Sequence, residues 1–98
     1  LKNGKKLYVV GAGAMLPMIN YHTNGLINKA EGILDDDKGK IGKYFLNINT
    51  KILKLKNVDL KNSICLVACV ASAISTRKII SILTDKKAEI ILTPTITF

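Results

Sequence analysis

Three features of this 98-residue sequence predict an α/β fold: a doubly wound parallel sheet of about five strands in a single small domain. The first is an apolar run, Leu7-Tyr8-Val9-Val10, that meets Gly11-Ala12-Gly13-Ala14 and then a helix-like segment. The second is the run from 63 to 70, apolar from Ile64 on, as expected of a central strand covered on both faces. The third is alternation. Strand-like and helix-like segments follow one another, which implies right-handed crossovers and a parallel sheet.

Taken in order, residues 1–6 read as a basic linker containing Gly4. The first strand begins at Lys6 or Leu7, and a helix is expected over 14–22, with Pro17 tolerable in its first turn. Thr23-Asn24-Gly25 closes that helix, Gly25 being the expected C′ residue. A second strand is predicted over 30–34, ending on Asp35-Asp36-Asp37, and a loop over 38–49 leads to a short strand at 51–53. Val58-Asp59-Leu60 is expected to form a single turn before the strand at 63–70. Ser72 or Ser75 is placed to cap the next helix, which runs to about Leu83 on the apolar stripe of Ile74, Ile79, Ile80 and Ile82-Leu83. Residues 84–87 turn the chain, 89–92 form the last strand, and Pro94 stops it. A strand that ends on two glycines and feeds a helix reads as the first turn of a Rossmann-like unit, with a crevice at the ends of strands one and four.

The net charge is +8, yet fourteen of the fifteen basic residues are Lys, and they are scattered. No Arg-rich or aromatic-interleaved patch is present, so a nucleic-acid partner is not expected. The longest apolar run, 64–74, is too short to span a bilayer and lies in mid-chain, so neither a membrane partner nor a signal peptide is expected. Cys65 and Cys69 sit in that run as free thiols and read as small core hydrophobes in a reducing, cytoplasmic compartment. With His22 the only histidine, a zinc site is not expected. The start at Leu1 suggests a domain excised from a larger enzyme.

The candidate binding residues cluster on two turns. Gly11 can take the tight turn, and Gly13, lacking a Cβ, would let phosphates approach backbone N–H groups shared with Ala14 and Met15. Asp35, with Asp36 beside it, lies 24 positions beyond Gly11, where a carboxylate can accept hydrogen bonds from a ribose hydroxyl. Three adjacent acids next to Lys38 and Lys40 also make an ordinary solvated turn. Leu16 stands where a dinucleotide site has its third glycine, which disfavours NAD. His22 beside Tyr21 does not amount to a nucleophile, base and orienting group, so no catalytic residue is assigned. Arg77 either reaches a phosphate at the crevice or solvates its helix face.

Three blocks together resemble the C-terminal domain of the sugar C-methyltransferases that act on nucleotide-linked keto-sugars. They are Gly11-Ala12-Gly13-Ala14 with Asn20-Tyr21, then the stretch 35–44 from the acids to Gly42-Lys43-Tyr44, then the strand 64–70 followed at once by a helix. The resemblance implies a domain that walls a nucleotide-sugar site, is inactive alone and holds no cofactor itself. S-adenosylmethionine would bind a preceding domain of the same enzyme. The chain is also similar to the N-terminal domain of nucleotide-sugar N-acyltransferases, through Gly11-Ala12-Gly13, Asp35-Asp36, Arg77 and Ile91-Leu92-Thr93-Pro94. That likeness implies a UDP-sugar ligand. A third alternative is a non-catalytic module that binds NAD or another nucleotide, or that serves assembly.

Overall fold

The computed structural model describes residues 5–11, 16–44, 48–68 and 73–92, with the side chains of 73–76 left aside. The expected linker at 1–4, the helix start at 14–15, Cys69, Val70, Ser72 and the tail at 93–98 lie outside these residues. Strand β1 (Lys6–Val10) leads to helix α1 (Leu16–His22) and a 3-10 turn at Leu26–Lys29. Strands β2 (Gly32–Leu34) and β3 (Ile52–Leu53) are followed by a second 3-10 turn, Leu55–Asn57. Strand β4 (Ser63–Val67), helix α2 (Ala73–Asp85) and strand β5 (Ile90–Leu92) complete the described elements.

The five strands pair in the order β3-β2-β1-β4-β5, and every pairing is parallel. At the centre, Tyr8 of β1 faces Gly32 on one side and Cys65 on the other. Side chains alternate across a strand, so β1 divides its residues between two half-cores. Val9 packs with Leu16 of α1, Ile27, Ile33 and Ile52 on one face. Tyr8 and Val10 pack with Leu34, Cys65, Val67 and Leu83 of α2 on the other.

This two-sidedness follows from the direction of the connections. The chain moves one way from β1 through β2 to β3, and the other way from β3 across to β4 and on to β5. Crossovers of a single hand then deposit their connecting segments on opposite faces. Ile48, between β2 and β3, joins the α1 face, while Leu55 and Leu60, between β3 and β4, join the α2 face. The fold is therefore an α/β, Rossmann-like doubly wound sheet.

Several boundaries differ from expectation, each for a local reason. Helix α1 ends in a Schellman arrangement in which Gly25 N–H donates to Asn20 O at 2.8 Å and Asn24 N–H donates to Tyr21 O at 3.4 Å. Asn24, with φ 55°, is thus the C′ residue, and Gly25 is C″. Helix α2 stops the same way. Lys87 (φ 64°) donates to Thr84 O at 2.9 Å and Ala88 to Leu83 O at 3.1 Å, so Thr84 and Asp85 belong to the helix and only Lys86-Lys87 turns. Ala30 is drawn out of β2 because its N–H closes the first 3-10 turn on Ile27 O. The single turn forms at Leu55–Asn57 and not at 58–60, because Asp36 Oδ1 accepts the Leu55 N–H at 3.1 Å and fixes its start. Ser75 lies inside α2, which begins at Ala73.

Leu16 carries α1 onto the sheet with no exposed surface. Leu16→Ala is expected to lower unfolding free energy by about 2–5 kcal/mol, the cost of a buried Leu-to-Ala cavity. Ile82→Ala, on the exposed side of α2, should change it by no more than about 0.5 kcal/mol. Urea unfolding of the two variants beside the parent chain measures both.

Candidate functional site at the carboxyl ends of the strands

The carboxyl ends of β3, β2, β1 and β4 form one rim, tied by three backbone bonds. Gly11 N–H donates to Leu34 O at 2.8 Å, Ala68 N–H to Val10 O at 2.8 Å, and Asp35 N–H to Leu53 O at 3.0 Å. Beyond these last rungs the connection after β1 goes to α1 on one face, and the connection after β4 to α2 on the other. Strand order reverses between β1 and β4, and in open α/β sheets the strand ends at such a reversal are where ligands generally bind. Gly11 sits at the end of β1 on this rim with φ 103°, in the left-handed region where a side chain is strained. Gly13, Ala14 and Met15 lie outside the described residues.

The acidic turn is built tightly. Asp35 Oδ1 accepts the Asp37 N–H at 2.9 Å, and Asp37 Oδ1 accepts the Gly39 N–H at 2.9 Å. With Asp36 holding Leu55, each of the three carboxylates satisfies a backbone donor of the turn or of the element it abuts. The fold thus brings Gly11 and Asp35 to one rim, through the Gly11–Leu34 bond, and aims Asp36 toward the segment after β3. Asp36 is exposed, and a carboxylate has room for more than one donor.

The other sequence candidates sit elsewhere. His22 and Tyr21 are exposed and stack edge to face, with ring centroids 5.3 Å apart, at the far end of α1. Arg77 is exposed on α2. Cys65 is a buried free thiol inside the half-core beneath α2. Among the described residues no three His, Cys, Asp or Glu side chains are grouped to hold a metal ion, and no helix is long and apolar enough to cross a membrane.

Three supporting residues escape sequence reasoning. Asn20 is buried, and its side-chain oxygen accepts the Ile27 N–H at 2.9 Å, locking α1 to the turn after it. Gly32 lies under Leu53, so a Cβ there would meet Leu53 Cδ1 at 2.6 Å. Gly42, with φ 81°, donates to Ile52 O at 2.8 Å, and Ile52 N–H returns a bond to Lys43 O at 3.0 Å. The Gly42-Lys43-Tyr44 block therefore covers the outer edge of β3. Asn20 and Gly42 both stand in blocks that the sequence singles out, but nothing there specified a buried lock or a strand edge.

Burial pushes the Cys65 thiol up from an ordinary 9.0 to about 11. The Tyr8 hydroxyl is raised by the same burial first, then by the charges of Glu31, Asp59 and Cys65. Both groups are held neutral in the folded state, while the unfolded chain ionises earlier on raising pH. Their contribution is complete below the unfolded values and lost as pH rises through the folded ones. Stability should accordingly begin to fall above about pH 9. In a Cys69→Ser background, a thiol reagent at neutral pH should label Cys65 only as fast as the chain unfolds. At the rim, Gly11→Ala should cost about 1–3 kcal/mol in urea unfolding, since its backbone bond to Leu34 holds it at positive φ.

Comparison of the chain with family models, curated proteins and solved structures gives no match.

Proposed function

We propose that this domain binds a nucleotide-linked sugar at the β1/β4 rim and serves a sugar C-methyltransferase as its C-terminal, non-catalytic part. S-adenosylmethionine would bind a preceding domain, and the partners would be the nucleotide-sugar and the other domains of the same enzyme. The observation that carries this reading is the reversal of strand order between β1 and β4, with Gly11 at positive φ on the rim. A diphosphate needs close backbone approach, which glycine permits. The Asp35-Asp36 pair, on the neighbouring strand end, offers acceptors for hydroxyl groups at the distance of one strand spacing from Gly11.

A dinucleotide is the weaker candidate. Leu16 occupies the third-glycine position and is fully buried against Val9 and Ile33, so that position serves core packing. Calorimetric titration should therefore show a nucleoside-diphosphate sugar binding more tightly than NAD(H). The chain alone should transfer no methyl group from S-adenosylmethionine.

Gly13→Val tests the reading directly. A Cβ at that position should keep a diphosphate from the backbone donors, and losing two charge-assisted hydrogen bonds at about 1.5–3 kcal/mol each weakens binding by orders of magnitude. Affinity and melting temperature are measured together. Lost affinity with a preserved melting temperature supports the proposal. Unchanged affinity with a clearly lowered melting temperature overturns it and leaves the glycines a packing role.

A further inference from the structure

From the geometry of the β3 edge, away from the β1/β4 rim, we infer a second anion site: a groove that takes a small phosphate-bearing molecule. The groove has a volume of about 400 Å³, within the range of small-molecule pockets. Its apolar surface is supplied by Ile41, Ile52, Leu53 and Val58, and its polar groups are Lys51, Lys54 and Asn57. A smaller hollow of about 140 Å³ adjoins it at Ile52 and is lined by Lys40, Lys43 and Tyr44. No Asp or Glu lines either hollow.

The edge closure brings four lysines to the lining of the two hollows, Lys51 and Lys54 at the larger and Lys40 and Lys43 at the smaller. Gly42 and Lys43 pair with both backbone groups of Ile52, which draws the 40–44 segment alongside β3 and sets its lysines against those that flank the strand. Lys40 also approaches Asp37 Oδ2 at 4.0 Å, a long contact between half-exposed groups. Lys51 and Lys54 stand at the larger, apolar-lined groove, able to cover a carbon skeleton, and Lys43 at the smaller hollow. Ammonium groups act as point charges toward phosphate, and two at each of two hollows sharing Ile52 favour a multiply charged anion over a monocarboxylate. One exposed aromatic, Tyr44, stands at this edge. A strand of nucleic acid needs a longer basic track with successive stacking platforms, which favours a single small ligand here.

This inference stands apart from the rim reading, and the test separates them. Inorganic pyrophosphate and a nucleoside diphosphate are titrated into the parent chain, a Lys51→Gln/Lys54→Gln double variant and Gly13→Val, with amide shifts followed by NMR. Expected are shifts at 41–43 and 51–57, affinity about tenfold or more weaker in the lysine variant at an unchanged melting temperature, and retention of pyrophosphate binding in Gly13→Val. Lys51 is exposed and Lys54 half-buried outside the two half-cores, so the fold should persist. Absence of pyrophosphate binding at millimolar concentration, equal affinity in the lysine variant, or shifts confined to the Gly11 and Asp35 rim would overturn the inference. Much tighter binding of a single-stranded oligonucleotide, with shifts spread over lysines elsewhere, would also overturn it in favour of a nucleic-acid surface.

Discussion

Strand β1 is the one element on which everything else rests. It hydrogen-bonds to β2 on one side and β4 on the other, and its side chains divide between both half-cores. Leu7 to Val10 are all buried, a state open to a strand only when both faces are covered and both edges paired. The reversal of strand order and the position of Gly11 both follow from where β1 lies. At its C-terminal end the backbone bonds to both neighbours, through Gly11–Leu34 toward β2 and Ala68–Val10 toward β4.

Much of this was legible in the sequence because apolar runs report burial directly. The unbroken run at 7–10 and the run at 63–70 identified the two central strands, and alternation with helices identified parallel pairing. Termini were less legible, because they depend on which backbone donor finds which acceptor. Asn24 and Lys87 adopt left-handed backbone at the helix ends although a glycine, Gly25, stands next to one of them. That choice is made by 6→1 and 5→2 bonds that no local propensity encodes. The turn at Leu55–Asn57 likewise depends on a carboxylate nineteen residues earlier.

For the site, sequence spacing located the two strand ends that the fold brings side by side, Gly11 and Asp35. It did not reveal that the acids are already engaged by backbone donors, since a side-chain cap depends on the three-dimensional course of the loop. The Gly-Lys-Tyr block was singled out for its resemblance and turns out to close a sheet edge. One sequence feature thus carries two separable roles, protecting β3 and gathering lysines beside it.

The division of the interior by a single shared strand has a consequence for motion. Among the described residues, the half-core under α1 and the half-core under α2 lie on opposite faces of the sheet, so loosening one need not disorder the other. The β3 edge, held by two residues of strand and the bonds to 42–43, belongs to the low-energy end of such openings. The β1 backbone pairs with strands on both sides, so its amides should be among the last to exchange with solvent. A ligand at the β3 edge would therefore select among local fluctuations, whereas one at the rim would draw on the stability of the entire chain.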